Sequence, residues 1–196
     1  MDPLPPYTAV VLAGGKAARL GGQAKPQLVV GGRTMLAAVL AAVADAHQRV
    51  VVGPRQPAPD DVLLVREDPP GGGPVAALRA GLPHVTTDVV AVLAGDLPFL
   101  TAALISELRS QLSGDGVLVV DDGGRDQLLL GVWRTTALNG AIAGAREPTS
   151  MRRVLAGLAV RRVRPATVPG QPPPWLDCDT PADLARARQV VDGKLG

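Results

Sequence analysis

The chain has very few aromatic residues and a single cysteine among its 196 residues. Phe, Trp and Tyr together number four, which leaves almost no material for a platform on which nucleic-acid bases stack. Cys178 alone can form neither a disulfide framework within the chain nor a multi-cysteine metal site, which fits a reducing compartment. The apolar run after the N-terminus is too short for a signal peptide or a membrane span. We therefore expect a cytoplasmic protein with no nucleic-acid or membrane partner.

The net charge is also low, at +2, although 17 of the 20 basic residues are arginine. This charge is too mild for a general nucleic-acid binder, but it tolerates a small polyanionic substrate. The length suits one domain with a sizeable core, and no repeat or change of composition divides it. We expect a single domain over residues 1–196.

The stretch from Ala9 to Lys25 carries the clearest functional signal. Four apolar residues run into two pairs of glycines with basic residues between and after them: Gly14, Gly15, Lys16, Arg19, Gly21, Gly22 and Lys25. This pattern predicts a buried strand followed by a glycine-rich loop. Glycine lets successive backbone N–H groups approach an anion closely, and the cations would neutralise its remaining charge. We interpret the stretch as a phosphate-binding loop.

Two common phosphate loops are excluded by spacing. A Walker A loop requires glycine five positions before its Gly-Lys pair and Ser or Thr after it, whereas Val10 and Ala17 stand there. A dinucleotide-binding loop requires G-x-G-x-x-G, which does not occur between Gly14 and Gly22.

Short apolar runs alternate with helical patterns along most of the chain, which predicts an α/β fold with a mostly parallel central sheet. We expect strands at Val50–Val52, Val62–Val65 and Val89–Ala94, an antiparallel hairpin from Val117–Val120 and Leu128–Val132, and helices at 34–46, 74–82, 101–112, 136–145, 150–158 and 180–191. Val89–Ala94 is the most apolar strand and is expected at the centre of the sheet. The six arginines between Arg146 and Arg164 are interpreted as a solvated surface.

Two acidic residues follow predicted strands, at the sheet edge where α/β proteins bind ligands. Asp96 comes just after the central strand and is followed by Pro98, a placement that favours a metal ligand. Mg²⁺ requires only one or two such carboxylates together with phosphate oxygens. Asp68 lies in the glycine-rich loop from Arg66 to Pro74, where it either faces a ligand or caps a turn.

The last motif, at residues 175–184, reads WLDCDTPADL. Thr180 and Asp183 predict a helix start of the capping-box type. Asp177 and Asp179 lie just before this helix. Each could either reach a metal or cap the turn, and capping is the favoured role for Asp177. Cys178 between two carboxylates is expected to be a small buried residue and not a nucleophile. Trp175 is expected in the core.

Taken in order, these motifs resemble those of the molybdenum cofactor guanylyltransferases over nearly the whole chain. The matching residues are Leu12, Ala13, Gly14, Gly15, Arg19, Gly21 and Lys25 in the first loop, Asp68, Gly73 and Pro74 in the second, Asp96 and Pro98, the turn from Asp122 to Asp126, and Thr180 to Leu184. The resemblance implies the Rossmann-like three-layer α/β/α nucleotidyltransferase fold. It also implies transfer of GMP from GTP to molybdopterin with Mg²⁺, and molybdoenzyme maturation proteins are candidate protein partners.

The resemblance further implies roles for individual residues. Arg19, Lys25 and Asp96 would be catalytic, with Asp96 holding the metal, and the nucleotide would contact Leu12, Ala13, Gly14, Gly15, Lys25, Gly53, Asp68 and Asp96. Gly53 replaces an asparagine of the family, so only its backbone could serve. Asp177-Cys178-Asp179 replaces N-x-N and is closer to the cytidylyltransferases. A cytidylyltransferase, a sugar-phosphate nucleotidylyltransferase and a non-catalytic nucleotide-binding relative are therefore the alternatives.

Overall fold

The computed structural model describes residues 3–14, 19–20, 23–146, 148–191 and 193. Its main feature is a seven-stranded sheet in the order β11-β9-β10-β8-β1-β6-β7. These strands are β1 Tyr7–Leu12, β6 Gln48–Val52, β7 Val62–Val65, β8 Val89–Ala94, β9 Gly116–Val120, β10 Asp126–Arg134 and β11 Val160–Val163. Strand β10 runs antiparallel to β8 and β9, and the other neighbouring pairs are parallel. This confirms a mostly parallel sheet with β8 at its centre.

Helices cover both faces of the sheet, as expected for a three-layer fold. They are α1 Met35–Ala42, α2 Pro74–Gly81, α3 Ala102–Ser110, α4 Thr135–Gly144, α5 Met151–Leu155 and α6 Pro181–Val191. Every residue of β1 is buried, and successive side chains alternate between the two faces. Tyr7, Ala9 and Val11 pack with α1 and α3. Val10 and Leu12 pack with α2, α4 and α5, which gives the sheet a core on each side.

Two small hairpins and α6 lie outside the main sheet. They are β2 Arg19–Leu20 with β3 Gln23–Ala24, and β4 Val29–Val30 with β5 Arg33–Thr34. Buried Cys178 packs in a third apolar cluster with residues of α6, α1 and the second hairpin. No helix in the described ranges has both the length and the apolar content needed to cross a bilayer.

Helices α1, α3 and α5 end earlier than predicted, α3 at Ser110 and α5 at Leu155, and several short strands were not predicted. Helix α1 ends at Ala42 instead of Ala46, because the N–H groups of Ala44 and Ala46 bond to carbonyls three residues back, as in tight turns, and not four residues back. The His47 N–H then donates to the Tyr7 carbonyl at the start of the sheet. Strand β11 was not predicted at all. Its sequence, Val-Arg-Arg-Val, is short and charged, as is common for strands at a sheet edge.

Candidate active site

A cavity of about 190 Å³ opens at the carboxyl ends of the central parallel strands. The chain leaves β1 for β6 on one side and later returns to β8 on the other, so the ends of β1 and β8 form a topological switch point. Crevices of this kind are where open α/β sheets bind ligands. The lining residues are Leu12, Ala13, Gly14, Lys25, Pro26, Glu67, Gly73, Pro74, Ala77, Ala94, Gly95, Asp96, Leu129 and Asp179.

The floor of the cavity is a tightly packed backbone at Ala13. Its N–H donates to Val52 at 2.8 Å, and Gly95 donates to Leu12 at 2.9 Å, so hydrogen bonds continue beyond β1. A Cβ at Gly53 would lie 2.8 Å from the Ala13 carbonyl carbon, which only glycine avoids. The Gly53 N–H is itself bonded to the Val65 carbonyl at 2.9 Å. Gly53 therefore supports the floor from behind and does not line the cavity.

Lys25 extends into the cavity from a 3₁₀ turn, Lys25–Gln27, that follows the first small hairpin. The residue is only 7% exposed, so its aliphatic stem is packed while its ammonium group meets Asp179. The distance from Lys25 Nζ to Asp179 Oδ1 is 2.7 Å, and the Asp179 side chain is 63% exposed. The two residues are 154 positions apart, so this ion pair brings the C-terminal motif onto the first loop.

Asp96 lies two residues beyond β8 and is partly buried. Burial and the nearby charges of Asp177 and Asp179 raise its pKa to about 6, while the charge of Lys25 opposes this shift. The carboxylates of Asp96, Asp177 and Asp179 therefore lie close to one another and to Lys25. An added cation would relieve their mutual repulsion.

These oxygen donors fit Mg²⁺ bound together with a nucleotide. Within the described ranges, no three His, Cys, Asp or Glu side chains form a group able to hold a metal ion. Mg²⁺ requires less than this, since one or two carboxylates are completed by phosphate oxygens and water. Asp96, with Asp179 beside the same cavity, supplies carboxylates of the required kind.

A buried amide network connects the cavity floor to the turn that carries Lys25. The Gln56 side chain is 9% exposed and donates from Nε2 to the Ala13 carbonyl at 3.4 Å. Its Oε1 accepts from Gln27 Nε2 at 2.9 Å. The proline-containing segment after β6 therefore braces two walls of the cavity. The sequence analysis missed Gln56, because no motif surrounds it.

The loop after β7 presents a different acidic residue from the expected one. Glu67 is 7% exposed and lines the cavity, whereas Asp68 is exposed and does not. The Glu67 Oε1 atom accepts the Gly71 N–H at 2.6 Å. Glu67 was missed because the sequence offers two adjacent carboxylates, and only the fold decides which one points inward.

The structure brings most of the other predicted residues to this cavity. Leu12, Ala13 and Gly14 line it, together with Lys25 and Asp96. Gly15 lies outside the described residues. Arg19 lies in β2.

Cys178 and Trp175 are both buried, as predicted. Cys178 is fully buried, and burial together with nearby carboxylates raises the pKa of its thiol to about 11. Such a thiol stays protonated at neutral pH and is a poor nucleophile. Trp175 is 6% exposed and packs in the core on the α1 and α3 side.

A glycine-lined crevice with a lysine and a carboxylate, at the switch point of a three-layer α/β fold, defines a nucleotide-binding enzyme. Residues 9–164 match the family model described as the MobA-like NTP transferase domain. The chain belongs to this family and is a nucleotidyltransferase.

Individual relatives agree with this assignment. A protein of Bradyrhizobium sp. (strain ORS 278) named molybdenum cofactor guanylyltransferase is 30% identical over 195 residues, covering 93% of this chain and 92% of its own. The crystal structure of an Rv0371c homologue from Mycobacterium sp. strain JC1 is 25% identical with a TM-score of 0.75, covering 96% and 98% of the two chains. The 2-C-methyl-D-erythritol 4-phosphate cytidylyltransferase of Thermus thermophilus shares the fold, with 22% identity, a TM-score of 0.66 and coverage of 94% and 98%.

Proposed function

We propose that this enzyme transfers GMP from GTP to the phosphate of molybdopterin, with Mg²⁺ as cofactor and pyrophosphate as the second product. The observation that carries the proposal is the convergence of Gly14, Lys25 and Asp96 on one cavity at the switch point. The Bradyrhizobium relative, which matches almost the full chain, is named molybdenum cofactor guanylyltransferase.

In the proposed reaction, a phosphate oxygen of molybdopterin forms a bond to the α-phosphorus of GTP. The bond from that phosphorus to the oxygen bridging the β-phosphorus breaks, and pyrophosphate leaves with the electron pair. The attacking phosphate is already largely ionised near neutral pH, so the reaction requires no general base. Both reactants are polyanions, so alignment and charge neutralisation dominate the barrier.

The residues of the cavity suit these two tasks. Among the described lining residues Lys25 is the one cation, so its ammonium group would balance charge on the triphosphate. Gly14 lines the cavity and packs closely on Gly53, since a Cβ there would lie 3.2 Å from the Gly53 Cα atom. Asp96 would hold Mg²⁺. The bound ion would neutralise phosphate charge and polarise the α-phosphoryl group. Arg19 is a further candidate to balance the charge that grows on pyrophosphate.

The direct test is incubation with Mg²⁺, molybdopterin and each α-labelled triphosphate in turn. We expect label to enter the pterin product from GTP, with equimolar pyrophosphate, and no transfer when molybdopterin is omitted. Transfer from CTP alone, or from no triphosphate, would refute the guanylyltransferase assignment.

A cytidylyltransferase is the second candidate, and one observation favours it. Asp177-Cys178-Asp179 is closer to the cytidylyltransferase motif than to N-x-N, and its Asp179 reaches the cavity. Thermal-shift titration with the Mg²⁺ complexes of GTP, CTP, UTP and ATP separates the two, because a ligand that binds only the folded state raises its melting temperature. We expect the largest shift with GTP.

A further inference from the structure

Glu67 is a buried carboxylate that lines the cavity. It is 7% exposed, and none of the ion pairs found among the described residues includes it. The Gly71 N–H occupies one acceptor position of its Oε1 atom. An ionised carboxylate offers about four such positions. Since a buried charge is costly unless hydrogen bonds compensate it, the unused positions are suited to donors of a ligand.

The location of Glu67 separates it from the phosphate-binding part of the cavity. Glu67 follows β7 by two residues, as Asp96 follows β8. Strands β7 and β8 lie three spacings apart in the sheet, roughly 14 Å at the usual distance between strands. Lys25 belongs to the Asp96 part, because its charge acts on Asp96 and it pairs with Asp179. Phosphates would be repelled by Glu67, so Glu67 faces an uncharged part of a substrate.

A carboxylate can only accept hydrogen bonds, and it is best matched by two N–H donors side by side. Guanine offers such a pair, a ring N–H next to an exocyclic amino group, and pterin carries the same 2-amino-4-oxopyrimidine edge. Adenine and cytosine place a ring acceptor next to the amino group, and uracil flanks its single N–H with carbonyl oxygens. These bases would bring a lone pair toward the carboxylate.

We propose that Glu67 selects the substrate by accepting the paired N–H donors of a 2-amino-4-oxopyrimidine ring. This inference rests on the proposed function and assigns a recognition residue within it. Guanine and pterin are the two sources of that edge, and the test below distinguishes them.

The test combines removal of the donor from the ligand with removal of the charge from Glu67. Mg²⁺ complexes of GTP and of ITP, which lacks the amino group, are titrated calorimetrically into the wild type and the E67Q variant. Glutamine keeps a carbonyl oxygen for the Gly71 N–H, so the loop should retain its shape. We expect the wild type to bind GTP about 10- to 100-fold more tightly than ITP, and E67Q to lose most of this difference.

The same comparison is made for pterin and lumazine, in which a carbonyl replaces the 2-amino group. Loss of the GTP preference in E67Q identifies guanine as the partner, and loss of the pterin preference identifies pterin. Either result supports the inference. The matched variant E107Q makes the same chemical change on α3, and its binding should equal that of the wild type.

Other outcomes overturn the inference. If E67Q weakens GTP and ITP equally, with both pterin compounds unchanged, Glu67 only shapes the loop. If E67Q leaves all four ligands unaffected while GMP transfer continues, the inference fails and the proposed function stands. A Glu67-dependent preference for GTP in a chain that transfers no GMP would instead reject the proposed function alone.

Discussion

The carboxyl group of Asp96 is held where its charged form is disfavoured. Its pKa is raised from 3.8 to about 6 by burial and by the charges of Asp177 and Asp179. The folded chain therefore binds this proton more tightly than the unfolded chain between roughly pH 4 and pH 6. The ionised group lowers the free energy of unfolding by up to about 3 kcal/mol above pH 6, and this loss disappears below pH 4.

This shift predicts a pH dependence that asparagine removes. In EDTA, the free energy of unfolding of the wild type should fall relative to that of D96N as the pH rises from 4 to 7. Urea denaturation at a series of pH values measures the difference between the two proteins. Parallel profiles would show that Asp96 titrates normally in the folded chain.

The same substitution tests the metal role of Asp96. With Mg²⁺, D96N should release pyrophosphate about 10²- to 10³-fold more slowly, because the carboxylate expected to hold the ion is lost. Circular dichroism should show an unchanged fold. Undiminished turnover would refute the assignment of the metal to Asp96.

The ion pair between Lys25 and Asp179 predicts how a single substitution changes the affinity for GTP. A triphosphate that binds Lys25 must compete with Asp179, 2.7 Å from the lysine. D179N should therefore raise the affinity for metal-free GTP, by about tenfold at low salt, measured calorimetrically in EDTA. D177N removes a charge of the same sign without breaking the pair, and its effect should be smaller. Equal effects would mean that total charge, not the pair, controls affinity.

At the scale of elements, α3 illustrates a start signal that is legible in the sequence. Thr101 directly precedes the apolar repeat of α3, and its hydroxyl oxygen accepts the Leu104 N–H at 3.2 Å. T101A should lower the free energy of unfolding by about 1 kcal/mol, since the N-cap bond is lost. S106A, at an exposed position inside the same helix, should change stability little. Chemical denaturation measures both variants. If T101A is as stable as the wild type, the Thr101 cap does not stabilise the helix.

The strands were predicted well where their residues are apolar on both faces. Val62–Val65 and Val89–Ala94 have the predicted bounds. The two small hairpins escaped prediction because their strands have two residues each, too few to show a period, and β11 escaped because two arginines separate its valines. Their pairing depends on neighbours brought in by the fold.

The cavity was predictable in part for a related reason. Gly14, Lys25 and Asp96 stand in motifs whose chemistry is visible in the chain, and the cavity unites them. Glu67 and Gln56 are recognisable only by burial and by partners distant in sequence. Side-chain direction at a loop, such as the choice between Glu67 and Asp68, is decided by packing.

At the scale of the whole molecule, one sheet joins the two cores. Leu108 is fully buried on the α3 face and Leu78 on the α2 face. L108A and L78A should each lower the free energy of unfolding by about 2–5 kcal/mol. If residues 1–196 form one domain, both variants should shift a single transition in calorimetry. Two separate transitions, each moved by one variant, would contradict a single cooperative unit.

Gln56 has a practical consequence for engineering. Segments between strands are usually good places to exchange or lengthen sequence, but this one is anchored at its middle to Ala13 and Gln27. Transplanting the segment from a relative would succeed only if the donor supplies an amide at the same point. Insertions are better placed after Ala58, where added residues leave both hydrogen bonds of the brace in place.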